Sequence, residues 1–101
     1  MFGLLVRFDL RDEDAARAFD RLVGETGEAV ESHEPGTLVY AVHRVVDEPL
    51  ARVIYEVYRD REAFDDHRRQ EHTRRFLAEC DRYVASTRIE GLIPSTGERP
   101  G

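Results

Sequence analysis

Apolar and polar residues alternate from the start of the chain: Phe2, Leu4, Val6 and Phe8 are separated by Gly3, Leu5, Arg7 and Asp9. A period of two predicts a strand with one buried face and one mixed face. The period then lengthens. Ala15, Phe19, Leu22, Val23, Thr26 and Val30 recur at steps of three and four, which lays one apolar stripe along a helix. Asp12 stands before it as an N-cap, and the charges of Glu13 and Asp14 suit the positive end of a helix dipole. Gly24 and Gly27 weaken this helix by about 1 kcal/mol each relative to alanine, and Glu34, Pro35 and Gly36 end it. Residues 38–45 and 52–58 are rich in Val, Ile and Tyr, and the polar link through Asp47, Glu48 and Pro49 makes them a hairpin. A second helical region opens at Asp60, with Glu62 in its first turn. It carries Phe64, His67, Phe76, Leu77, Cys80 and Val84, with an interruption near Gln70. A short strand over residues 88–92 follows, and from Pro94 the chain reads as a frayed tail without apolar periodicity.

The order β-α-β-β-α-β predicts an α+β fold of the ferredoxin-like kind over residues 1–93, with a flexible tail over 94–101. At 101 residues the chain can build one modest core and not two. Both helices pack on one sheet face, so the Leu and Val residues of the other face need a cover. A second copy laid sheet to sheet supplies it, and a homodimer is therefore expected.

Charge and cysteine usage narrow the partners. A formal charge of −6 argues against a nucleic-acid or anionic-membrane surface, which needs clustered cations. Arg68, Arg69, Arg74 and Arg75 do crowd together, but Asp65, Asp66 and Glu71 lie among them, the mixture of a solvated helix face. Cys80 is the only cysteine, which excludes an intrachain disulfide and paired-cysteine zinc or redox motifs, and a buried structural thiol is expected. No basic segment followed by a long apolar run opens the chain, and no stretch has the length of a membrane span, so the cytoplasm is the expected location.

Several of these segments carry a family pattern. Glu34-Pro35-Gly36 leads into a strand with Tyr40; Tyr55-Glu56-Val57-Tyr58, Asp60-Arg61-Glu62-Ala63-Phe64, and His67 with His72 five residues later follow in order. Together, from about residue 2 to residue 93, they resemble the antibiotic-biosynthesis monooxygenases, the family that includes quinol monooxygenases. The resemblance implies a dimeric α+β barrel with a pocket between sheet and helices. It does not choose one reaction, since the family spans cofactor-free oxygenases of polycyclic phenols and hydroquinones, haem-degrading enzymes and an isomerase of phosphorylated autoinducer-2. The haem branch uses a tryptophan and a helix histidine; this chain has no Trp, and Phe76 and Leu77 fall where that histidine would stand.

Glu56 shares a strand face with Ile54 and Tyr58, so its carboxylate enters a mostly apolar setting, where it needs a partner or a raised pKa. It could equally be a structural acceptor tying sheet to helix. His67 lies three residues after Phe64 and points inward. On an unbroken helix His72 would lie about 140° away, which argues against a shared metal ion; a break near Gln70 would let both face one pocket. Both histidines match those of the oxygenase and isomerase branches, and Tyr40 matches the family's strand tyrosine. Tyr40 and Tyr58 are the expected substrate-binding residues, although core packing also accounts for either. No phosphate-cradling loop, dinucleotide fingerprint or nucleophile elbow is present, so no cofactor is expected.

The expected activity is cofactor-independent oxygenation of a hydroquinone or phenol by O2, with His67 or His72 as base, Glu56 orienting it and Tyr40 donating to the substrate oxygen. One alternative is the isomerase of a phosphorylated carbonyl compound, which Ile89-Glu90-Gly91-Leu92-Ile93-Pro94 also resembles. The other is a non-catalytic module that binds a small aromatic molecule.

Overall fold

The computed structural model describes residues 1–96. The alternating N-terminal segment is strand β1 (Phe2–Leu10), followed by helix α1 (Glu13–His33), strands β2 (Thr37–Val45) and β3 (Glu48–Tyr58), helices α2 (Arg61–Arg69) and α3 (Glu71–Cys80), and strand β4 (Val84–Leu92). The four strands form one antiparallel sheet in the order β2-β3-β1-β4. This is the expected α+β ferredoxin-like architecture.

Helix starts follow local chemistry. Asp12 and Asp60 each accept from the backbone N–H three residues on, at Ala15 and Ala63, both at 2.8 Å. Gly24 and Gly27 do not interrupt α1. Gly27 turns its bare face to the Tyr40 ring, where an added Cβ would come to rest at 3.8 Å.

Between α2 and α3 the backbone is extended at one residue, Gln70 (φ −64°, ψ 143°). That single residue restarts the helix on a new axis. The helical region ends earlier than the apolar spacing predicts: α3 closes at Cys80 through a turn in which Tyr83 N–H donates to the Cys80 carbonyl at 2.9 Å. Val84, expected on the helix, opens β4, which starts four residues before the predicted strand. The reason is pairing with β1, in which Leu10 lies opposite Val84 and Asp9 opposite Ser86. Likewise β3 begins at Glu48 rather than Arg52, because Asp47 adopts φ 63° and tightens the hairpin turn. Of the expected tail, 94–96 carry no helix or strand, and 97–101 lie outside the described residues.

The core lies between the sheet and the helices. Phe8, Phe19 and Phe76 form a triangle with ring centroids 5.0, 5.9 and 5.8 Å apart, surrounded by Val6, Leu22, Val23 and Ile54. Arg52 is buried on the same side and is held by Asp20 of α1 through Nε at 2.8 Å and Nη2 at 3.1 Å. The opposite sheet face carries Leu5, Val39, Val53, Tyr55 and Leu92, with Arg7 paired to Asp9 and Glu48 at 3.0 and 2.7 Å. Tyr55 and Leu92 are exposed on it.

Candidate active site

Between the sheet and the paired helices α2 and α3 lies a cavity of about 350 Å³. Leu4, Val6 and Ile54 line it from the sheet and Phe64, Phe76 and Leu77 from the helices, while Arg68, Asp81 and Ile89 also contribute. Among these apolar walls stand Tyr40, Glu56 and His67. Register brings them together: Glu56 on β3 is directly opposite Tyr40 on β2 and Leu4 on β1, and His67 descends from α2 with its ring centroid 6.0 Å from that of Tyr40.

The Glu56 carboxylate is buried, accepts a hydrogen bond from the Tyr58 hydroxyl, and has its Oε1 3.9 Å from His67 Nε2. Burial pushes its pKa above the ordinary carboxylate value and the nearby Glu34 charge adds to this, against the opposing pull of Tyr58 and His67. Burial beside these carboxylates also raises both tyrosine pKa values, so Tyr40 and Tyr58 remain hydroxyl donors at neutral pH. Tyr58 is fully buried behind Glu56 and does not line the cavity. Tyr40 does, and its hydroxyl forms no hydrogen bond among the described residues. Cys80 reaches the wall too, with its thiol pKa raised by burial, which suits packing rather than nucleophilic attack.

The residue that organises the histidines is Glu34. It caps the C-terminus of α1, with its N–H donated to the Val30 carbonyl at 2.9 Å, and its side chain is 2% exposed. Its Oε1 meets His67 Nδ1 at 2.7 Å and accepts from the Thr37 hydroxyl at 2.7 Å, while its Oε2 meets His72 Nε2. Burial alone would raise the Glu34 pKa, but the hydrogen bonds from His67, Thr37 and His72 together outweigh it and leave it below the ordinary value. With Nδ1–H donated to Glu34, the His67 Nε2 lone pair is left facing the Glu56 side of the cavity.

The two histidines converge on one carboxylate because Gln70 breaks the helix between them, but they do not line one hollow. His67 lines the apolar cavity. His72 lines a second, polar groove of about 440 Å³ between α1 and α3, where its ring stacks on that of His33 at 6.3 Å. Sequence reasoning missed the role of Glu34, reading Glu34-Pro35-Gly36 as a helix stop and as part of the family pattern but giving the carboxylate no task. The turn is nevertheless built for proximity: a Cβ on Gly36 would meet the Ala63 Cβ at 2.7 Å, so glycine lets the start of β2 lie against α2 and keeps Glu34 and Thr37 beside His67.

Comparison with known proteins bears on the family and the fold. The family model for antibiotic biosynthesis monooxygenase matches residues 1–92. Among solved structures, Rv0793 from Mycobacterium tuberculosis superposes with a TM-score of 0.88 at 24% identity, covering 97% of this chain and 98% of that one. A protein described as an antibiotic biosynthesis monooxygenase gives 0.84 at 21% identity over 95% and 100%. A protein from Lactobacillus acidophilus NCFM gives 0.84 at 26% identity over 91% of this chain and 43% of its own. None of the curated proteins matches. Among the described residues no helix is long and apolar enough to cross a membrane. By the match over nearly its whole length, the chain belongs to the antibiotic biosynthesis monooxygenase family.

Proposed function

We propose that the protein is a cofactor-independent monooxygenase that oxidises a hydroquinone or polycyclic phenol with O2. One observation carries this: Tyr40, Glu56 and His67 line one largely apolar cavity, with Glu56 Oε1 3.9 Å from His67 Nε2 and the Tyr40 and His67 ring centroids 6.0 Å apart. Its volume is at the small end of the ~300–1,000 Å³ typical of pockets for drug-sized ligands, as suits a flat fused-ring compound.

His67 takes the phenolic proton on Nε2, and Glu34 on Nδ1 holds the tautomer and steadies the imidazolium. Tyr40 donates to the resulting phenolate oxygen. The electron-rich anion passes one electron to O2, and the radical pair combines as a ring hydroperoxide. Loss of water then leaves one oxygen atom on the ring as a quinone carbonyl and releases the other as water, so O2 supplies both oxidising equivalents and no external reductant is needed. Water formation consumes two protons, the phenolic one held by His67 and the one given up by the oxygenated ring carbon, and Glu56, with its raised pKa, is placed to pass the second of these on and so ends the cycle as it began. The apolar walls shelter the anion from water.

His72 faces the groove and not the cavity, so His67 is the base in this scheme. A phosphorylated isomerase substrate has less support, because among the described residues Arg68 is the one arginine lining the cavity and a phosphate calls for converging cations. The exposed Tyr55 and Leu92 of the outer sheet face support a homodimer formed sheet to sheet, and the single Cys80 thiol suits the reducing cytoplasm. The test is turnover of a panel of hydroquinones and naphthols with and without O2, using the protein and its His67→Gln variant. Oxygen-dependent product formation that the variant loses is expected. Equal rates with and without protein would end the oxygenase reading, and ligand binding without turnover would point to a binding module.

A further inference from the structure

The Glu34, His67 and His72 cluster has a second chemical capacity beyond proton transfer. We propose that these three side chains form a binding site for a divalent transition-metal ion, with Zn²⁺ as the reference case, entered from the groove between α1 and α3.

The ligand set comes first. Glu34, His67 and His72 each offer one ligand atom, all within 4.8 Å of one another, and His67 Nδ1 and His72 Nε2 are the nitrogens that meet the Glu34 carboxylate. Two imidazoles and one carboxylate are a set that zinc accepts, with its fourth position left to solvent. They are presented by three separate elements, the α1 cap, α2 and α3, so one chelate ties the whole helical layer together. Metal bonds of about 2.0–2.2 Å put tetrahedral ligand atoms roughly 3.3 Å apart, and side-chain shifts of less than about 1 Å each reach that spacing. The separation of the histidines by 140° on a continuous helix does not apply, because the extended Gln70 has already turned His72 back toward Glu34.

The surroundings fit as well. The Thr37 hydroxyl fixes Glu34 through its 2.7 Å bond to Oε1, and the second ring nitrogen of His67, Nε2, faces Glu56 Oε1 at 3.9 Å. Such neighbours orient metal ligands and hold their affinity. Access is provided by the groove, which His72 lines and where water can complete the coordination shell, with His33 stacked alongside as a further imidazole.

Occupancy has a consequence for the neighbouring cavity, which rests on the proposed base role of His67. A metal on Nδ1 leaves His67 with its remaining proton on Nε2, so the ring can donate there but cannot accept the substrate proton. The ion is thus an inhibitor that acts from behind the base without entering the substrate cavity.

Equilibrium dialysis of the chelator-stripped full chain against Zn²⁺, with metal counted by atomic emission, tests the site directly. Co²⁺ serves as a second probe through the visible absorption of its tetrahedral complexes. One ion per chain with micromolar affinity is expected, accompanied by a rise in melting temperature. His72→Ala, at the groove wall, should weaken binding at least tenfold, as should the near-isosteric Glu34→Gln, and the exposed His43→Ala should leave it unchanged. The proposal is overturned if no ion binds at millimolar Zn²⁺, if His72→Ala binds as tightly as the parent, or if His43→Ala abolishes binding. Turnover is read separately: a protein with no oxygenase activity at all would refute the base assignment and leave the dialysis result standing, whereas an active enzyme that Zn²⁺ fails to inhibit while bound would refute the coupling.

Discussion

Replacing Glu34 by glutamine keeps the shape of the side chain and removes its charge, and the structure allows the cost to be worked out. Glu34 accepts from three donors, His67, His72 and Thr37, at a site almost closed to water. A hydrogen bond to a charged group contributes about 1.5–3 kcal/mol and one between neutral groups about 1 kcal/mol. Three such demotions, with the amide NH2 now facing one imidazole nitrogen, sum to a loss of about 3 kcal/mol. For a domain of this size that corresponds to a fall in Tm of about 12–24 °C, which leaves a typical domain stability of ~5–15 kcal/mol reduced but positive. The sign of the pH dependence follows from the lowered pKa. A carboxyl with a folded pKa below its unfolded value of ~4.3 stabilises above that value and loses its contribution as pH falls through the folded pKa. The gap between parent and Glu34→Gln in urea melts should therefore be full at neutral pH and close at strongly acid pH. A variant within 1 kcal/mol of the parent at neutral pH, by roughly the neutral-bond standard, would refute the idea that this carboxylate anchors the helical layer.

Two further predictions follow from close packing and buried charge. Gly36→Ala places a Cβ 2.7 Å from the Ala63 Cβ, so α2 must shift; a loss of about 1–3 kcal/mol in denaturant melts is expected, with a larger proportional loss of turnover than of stability because His67 rides on α2. Asp20→Ala strands the guanidinium of Arg52, 3% exposed, with only the carbonyls of Pro49 and Ala51, and should cost about 3–5 kcal/mol, whereas Asp20→Ala with Arg52→Met should recover much of it in a double-mutant cycle.

The elements that could be read from sequence are those whose pattern is set by local burial. Strand β1 and helix α1 each bury one regular face, so periods of two and 3.6 survive in the residues themselves. Strand β4 does not. It pairs with β1 on one side only, and nearly all its residues from Ala85 on are exposed, so its start is fixed by the partner strand rather than by any alternation of its own. The site divides in the same way. Glu56 and His67 stood out because a polar group on an apolar face is visible in the spacing, and Tyr40 because it matches the strand tyrosine of the family the chain resembles. Glu34 did not, since a carboxylate at a helix end before Pro-Gly is common punctuation, and its partners lie 33 and 38 residues further along the chain.

That distance bears on how chemistry and fold are joined in this domain. His67 and His72 occupy different hollows, yet one carboxylate meets both, so the groove and the cavity are joined through two hydrogen bonds. The coupling depends on Gln70, whose one extended residue turns a continuous helix, on which the two rings would diverge, into two short helices on which they meet. A carboxylate buried for catalysis alone would be a standing cost to stability. Here Glu34 also closes the end of α1 through its backbone N–H, while its carboxylate accepts from Thr37, the first residue of β2, and meets a histidine of each short helix, so the residue that orients His67 also holds the roof of the cavity in place. Stability and activity should therefore fall together when Glu34 is altered, and separate when Tyr40 is, since the Tyr40 hydroxyl bonds to no other described residue.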